Sequence, residues 1–175
     1  MKRYFIAIAF LALGTVSLSC GYSARSGLSG FRTIYVDKFK NSIDFTAESR
    51  RRTYFPLLEV KVHKSVIDRF IFNGSLRIAE KEKADLVLTG EVTGYDRNAL
   101  RYTDNDDVQE YRVYVVMNLT LTDPKTDTVI WEENGFTGEA TYFLTGSQSR
   151  SESAAVDDAI TDLARRVVER TIENW

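Results

Sequence analysis

From Tyr111 to Leu121 the chain obeys one rule without exception. Tyr111, Val113, Val115, Met117, Leu119 and Leu121 alternate with Arg112, Tyr114, Val116, Asn118 and Thr120. A period of two is the mark of a strand with its two rows on opposite faces. One row is wholly apolar or aromatic, so it needs a core. A single strand cannot build that core, so the rest of the chain must supply neighbouring strands and a covering layer.

The flanking segments supply both. Asp85–Tyr95 (DLVLTGEVTGY) reads as a strand with Leu86, Leu88, Gly90 and Val92 on one side. Asn98 to Val108, carrying Asp104, Asn105, Asp106 and Asp107, reads as a polar hairpin tip. Asp123-Pro124-Lys125-Thr126-Asp127 has the residues of a tight turn and leads into a long strand, Val129–Phe143, where Gly135 and Gly138 suggest a bulge or bend. Near the start, Thr33–Phe39 alternates as a further strand, and Lys40 to Tyr54, with Arg50-Arg51-Arg52, reads as a loop.

Elsewhere the period changes to that of a helix. Leu58, Val62, Val66 and Phe70, joined by Ile67 and Ile71, form one stripe that Asn73-Gly74 should stop. Val156, Ala159, Ile160, Leu163, Val167 and Val168 form a second, after the loop Leu144–Arg150. Its acids, Glu152, Asp157 and Asp158, come early, and Arg165, Arg166 and Arg170 come late, as the helix dipole favours. The order is strand, helix, three-strand meander, helix. This predicts an α+β two-layer sandwich, with an about four-stranded mixed sheet and two amphipathic helices on one face. The other face carries Tyr114, Val116 and threonines, less polar than free solvation asks, and so calls for a partner.

The first residues belong to none of this. Lys2 and Arg3 precede the apolar run Phe5–Val16, and the small residues Ser17 and Ser19 follow, the layout of an export signal. Twelve residues of helix reach about 18 Å, short of the ~30 Å of a bilayer core. At the exit stands Cys20, the sole cysteine of the 175 residues, followed by Gly21. Bacterial lipoprotein signals end on such a cysteine, whose thiol is acylated; the position three before it, usually Leu, is here Ser17. The expected organisation is residues 1–19 as a lipoprotein-type signal peptide, 20–30 as a lipidated tether and 31–175 as one α+β domain. The competing reading is a soluble periplasmic protein in which Cys20 is incidental. No internal disulfide is possible with one thiol.

Charge and chemistry narrow the function classes. The formal charge is −2, and loss of Lys2 and Arg3 with a leader lowers it further, which excludes bulk capture of nucleic acid. His63 is the one histidine and sits beside the charged side of the first helix stripe. With it alone and a committed Cys20, zinc ligands are lacking. The Asp104–Asp107 tip lacks the glycine and terminal glutamate of an EF-hand loop, and Ser147, Ser149, Ser151 and Ser153 occupy no nucleophile elbow. The expectation is a non-enzyme with no catalytic residues, metal or cofactor.

Taken together, many short stretches resemble the LptE family of lipopolysaccharide-assembly lipoproteins. They include Cys20-Gly21-Tyr22, Ile34–Phe39 with Lys40-Asn41, Gly74-Ser75-Leu76-Arg77, and Ala84-Asp85-Leu86-Val87-Leu88-Thr89-Gly90. Tyr95, Ala99-Leu100-Arg101-Tyr102, Glu110-Tyr111-Arg112-Val113, Leu121-Thr122-Asp123 and Val129-Ile130-Trp131-Glu132 continue the series. Phe136-Thr137-Gly138, Tyr142, Glu152-Ser153 and Ala159–Trp175 complete it. The resemblance implies a lipid-anchored outer-membrane protein that plugs and helps assemble an LptD-type β-barrel and assists insertion of lipopolysaccharide into the outer leaflet. Its partners would be that barrel, lipopolysaccharide and, through Cys20, the membrane. Basic residues toward one tip would contact the glycolipid: Arg97, Arg101 and Arg112 are the candidates here, and the competing role for them is neutralising Asp104, Asp106 and Asp107. The alternative function is a stand-alone periplasmic lipoprotein acting as a ligand-binding or scaffold module.

Overall fold

The computed structural model describes residues 30–43 and 55–173. The signal, Cys20, the tether through residue 29, most of the Lys40–Tyr54 loop with its arginines, and Trp175 lie outside the described residues. The elements are β1 (Thr33–Val36), β2 (Lys40–Asn41), α1 (Leu58–Asn73), β3 (Arg77–Ile78), β4 (Leu86–Tyr102), β5 (Val108–Asp123), β6 (Thr128–Phe143) and α2 (Glu152–Glu173). One mixed sheet runs β3-β1-β4-β5-β6, and β2 pairs with β4 outside that path. β1 is parallel to β3 and β4, while β4, β5 and β6 form an antiparallel meander. The architecture is the predicted α+β sandwich, with two strands of two residues each added to its four substantial ones.

Alternation in β5 is obeyed. Val113, Val115, Met117, Leu119 and Leu121 are buried, while Tyr114, Val116, Asn118 and Thr120 remain partly exposed on the other face. In β4 a bulge opens between Val92 and Gly94. The extra residue returns Tyr95, which strict alternation would turn away from Val92, to the helix-covered side, where it pairs with Val115. β4 also runs on past Asn98 to Tyr102, so the hairpin tip is only 103–107. There the Thr103 backbone donates to the carbonyl of Asp107 at 2.8 Å, and the amides of Asn105 and Asp107 donate to the Thr103 hydroxyl.

Both helices lie on one face. Leu58, Val62, Val66 and Phe70 of α1 are fully buried. Ile67 is only partly buried, and Ile71 is 63% exposed. At 100° per residue Ile71 stands about 160° from the centre of the buried stripe, which places it on the solvent side. Gly74 ends α1 with φ 73°, its N–H donating to the carbonyl of Phe70 at 3.0 Å. α2 begins where the Ser151 hydroxyl accepts the N–H of Ala154. It buries Ala155, Ala159, Leu163, Val167 and Thr171, and small residues there let it approach the sheet closely.

The closest approach is at Gly138. A Cβ on that residue would lie 2.6 Å from the Leu163 backbone nitrogen, and nearer still to the Ala159 carbonyl oxygen and the Leu163 Cβ. Across the helices, Lys61 pairs with Asp157 at 2.9 Å. At the opposite end of the sheet from the hairpin tip, Asp85 clamps three segments. It accepts from the backbone N–H of Arg32 and Thr33, from the Thr33 hydroxyl and from the Lys125 ammonium at 2.6 Å. The Lys125 contact first, and then these hydrogen bonds, hold its carboxyl well below the usual carboxylate range.

Candidate functional site

No described element covers the sheet face opposite the helices. Two shallow grooves run over it. One of about 440 Å³ is lined by Lys38, Glu91, Asn118, Thr120 and Asn134 among others, and one of about 420 Å³ by Asn98, Tyr114, Val116, Thr137 and Arg166 among others. Their walls mix donors and acceptors with apolar surface in comparable shares. Glu91 accepts from the Ser42 hydroxyl at 2.8 Å and from the Asn118 amide at 3.1 Å; these bonds, Ser42 first, lower its carboxyl pKa. Such a surface can hydrogen-bond a large polar partner, but it offers no nucleophile–base pair. Among the described residues no cluster of His, Cys, Asp and Glu could hold a metal ion. His63 sits apart, its Nε2 3.2 Å from the Val36 carbonyl oxygen and its ring edge-on to Phe39.

The three arginines are divided between the faces. Arg101 and Arg112 lie on the open face near the tip. Arg101 is 3.6 Å from Glu110 and lies over the Phe143 ring at 5.7 Å. Arg112 is 3.6 Å from Glu139, and its buried Nε has no hydrogen-bond partner. Arg97 pairs with Val113 in the ladder and so faces the helices. It donates to Glu152 at 2.6 Å and stacks over the Tyr111 ring at 4.6 Å. The partners of all three are thus Glu152, Glu110 and Glu139; none of the three pairs with the tip aspartates.

Glu152 also accepts from the Tyr95 hydroxyl at 2.6 Å and the Tyr142 hydroxyl at 3.3 Å, fastening the first turn of α2 to β4 and β6. Burial, and then the bond to Glu152, pushes the Tyr95 phenol far above its ordinary range, so it remains a donor. In the sequence Glu152 signals only a dipole-matched helix start. Its sheet partners lie 57, 55 and 10 residues away, beyond any local pattern.

No curated protein matches the chain. Solved structures do. Protein XCC0632 from Xanthomonas campestris is 14% identical with a TM-score of 0.56, over 80% of this chain and 83% of that one. Hypothetical protein CT253 from Chlamydia trachomatis is 11% identical with a TM-score of 0.51, over 81% and 95%. Rare lipoprotein B from Shewanella oneidensis is 13% identical with a TM-score of 0.46, over 80% and 93%. At such identities the first two likenesses bear on the fold alone. A family model described as "LptE: Lipopolysaccharide-assembly" matches residues 31–171, the whole of the sheet and nearly all of α2. The chain belongs to the LptE lipopolysaccharide-assembly family.

Proposed function

We propose that this protein is a non-catalytic, acylated lipoprotein of the outer membrane that plugs and helps assemble an LptD-type β-barrel and assists lipopolysaccharide insertion into the outer leaflet. The observation that carries the reading is the uncovered sheet face. Tyr114, Asn118 and Thr120 stand there half-exposed with polar atoms to offer. The interior wall of a large outer-membrane barrel is polar, so hydroxyl and amide groups can exchange water for wall partners without an unpaired group being buried. Length supports it too. The 17 residues of β4 extend roughly 50 Å, more than the ~30 Å hydrocarbon core. One end of the plug can stand at the periplasmic side while the tip reaches the outer leaflet.

At that tip Arg101 and Arg112 are the proposed glycolipid contacts. Each carboxylate partner stands 3.6 Å away, longer than a close charge-assisted contact, and loose ion pairs near the surface contribute little. A phosphate can replace them with two parallel charge-assisted bonds to one guanidinium. Arg97, held by Glu152, has a positioning role instead. The test is recovery of the full chain from membranes with photo-crosslinkers at Tyr114 and Thr120. Adducts to an outer-membrane barrel are expected. A chain recovered alone, with no barrel adduct from either position, overturns the plug and leaves the stand-alone module.

A further inference from the structure

The end of the molecule away from the hairpin tip carries the most exposed aromatic side chain among the described residues. Phe72, in the last turn of α1, is 80% exposed; Ile71 beside it is 63% exposed, and Ile78 on the neighbouring β3 is 37% exposed. An isolated exposed apolar residue needs no explanation, but three within eight positions at one end of a fold form a patch. Arg69 lies against this patch, its guanidinium 5.3 Å from the Phe72 ring centroid. The Arg77 backbone N–H donates to the Arg32 carbonyl at 3.0 Å, bringing both residues to the same edge. The side chains of Arg32, Arg69 and Arg77 form no ion pair with any described residue. Asp68 and Glu80, acids of the same region, are engaged by Lys64 and Lys83.

We infer that this end is a membrane-contact surface: Phe72, Ile71 and Ile78 enter the interfacial region of a phospholipid leaflet, while Arg32, Arg69 and Arg77 meet anionic headgroups. The choice of a bilayer over a protein partner follows from where the chain enters the fold. Gly30 leads into β1 beside Arg77, and Cys20 precedes it by ten residues, a reach of at most about 35 Å. The inference therefore rests on the acyl anchor proposed at Cys20, which holds this end within that reach of a leaflet. An aromatic and aliphatic cluster with an arginine against it and two more at the same end of the fold is the composition that interfacial binding favours. A surface contact of this kind fixes the orientation of the domain on its tether, with the Arg101–Arg112 tip pointing away from the anchoring leaflet.

Tryptophan quenching tests it directly. The full chain carrying Phe72→Trp is mixed with vesicles of phosphatidylethanolamine and phosphatidylglycerol with brominated acyl chains, and the emission of the parent chain is subtracted. Tyr102→Trp, at the far tip, serves as the control, since Tyr102 is also more than half exposed. Emission from the Phe72→Trp variant should shift to the blue and fall several-fold on bromination, while that of the Tyr102→Trp variant stays unchanged. Equal, water-like emission from both variants overturns the inference. Quenching that is as strong on phosphatidylcholine alone removes the three arginines from the surface. Intact mass separates this result from the anchor: a chain lacking acyl mass but quenched at position 72 keeps the contact surface and discards the anchor. An acylated, vesicle-bound chain unquenched at position 72 does the reverse.

Discussion

The contact between β6 and α2 makes Gly138→Ala a sharp test of how the two layers meet. Gly138 is not at positive φ, so its backbone accepts an L-residue. In open space the change would raise stability by about 0.4–1 kcal/mol, because alanine has less freedom to lose from the unfolded chain. Here the new methyl would sit 2.6 Å from the Leu163 nitrogen and closer to two other atoms. Two of the three obstructing atoms are helix backbone and cannot rotate aside. Restoring ordinary contact requires α2 to withdraw by about 1 Å, and a gap of that size forfeits up to half of each dispersion contact along the seam. Overpacking of this kind costs about 1–3 kcal/mol, so the net result should be a loss of roughly 1–2 kcal/mol. Gly94→Ala is the matched control, since its Cβ would meet only ordinary neighbours at 3.4 Å or more. Urea titration should show a lower midpoint for Gly138→Ala at unchanged m-value, and a neutral or raised midpoint for Gly94→Ala. If the two variants unfold together, α2 does not press on β6 at this point and the packing argument fails.

Leu163→Ala, at a fully buried position of the same seam, should cost about 2–5 kcal/mol by thermal or urea unfolding; a change near zero would mean that α2 presents another face. Asp85→Asn should cost about 1.5–3 kcal/mol at pH 7 through its charge-assisted bonds. Because the folded-state pKa of Asp85 is lowered, its contribution is present above the unfolded value near 4 and is lost as pH falls toward the folded one. Parent and variant stabilities should converge on acidification, and a constant gap down to pH 2 would refute the clamp. Arg101→Ala with Arg112→Ala should keep the fold and weaken lipopolysaccharide binding, most at low salt; unchanged binding at every ionic strength would remove the tip from glycolipid contact. Cys20→Ser should abolish acyl mass and membrane retention without moving the unfolding midpoint of the domain, and a retained, acylated variant would place the lipid elsewhere.

Periodicity carried most of the fold. β5 and the stripes of both helices were readable because one row of each faces a continuous core, so tertiary structure reinforces the local pattern. The end of β4 was not readable. Asn98, Arg101 and the nearby aspartates look like turn residues, yet pairing with β5 draws the strand on to Tyr102 through two further register shifts. The Val92–Gly94 bulge was equally silent, although it decides which face Tyr95 meets. Of the candidate site, the open face announced itself through Tyr114 and Val116. The separation of Arg97 from Arg101 and Arg112 did not, since one bulge, between Ala99 and Arg101, intervenes and changes the parity of the strand. The Glu152 and Asp85 clusters join residues up to 57 positions apart and leave no trace in local spacing.

The position of β1 in the sheet has a consequence for the order in which the chain assembles. β4, β5 and β6 follow one another through two short turns, and their pairings close small loops. β1 instead lies between β3 and β4, and its Ile34 must wait for Leu86, 52 residues on, before its ladder can form. Loops of that length close late because their entropy is lost before non-local contacts form. The N-terminal strand, first to be synthesised, is therefore the last inserted, and late protection of the Ile34 amide in pulsed hydrogen exchange is its signature. Until then the slot beside β4 stays open, and the strand that leads on from Gly30 is the final piece to lock.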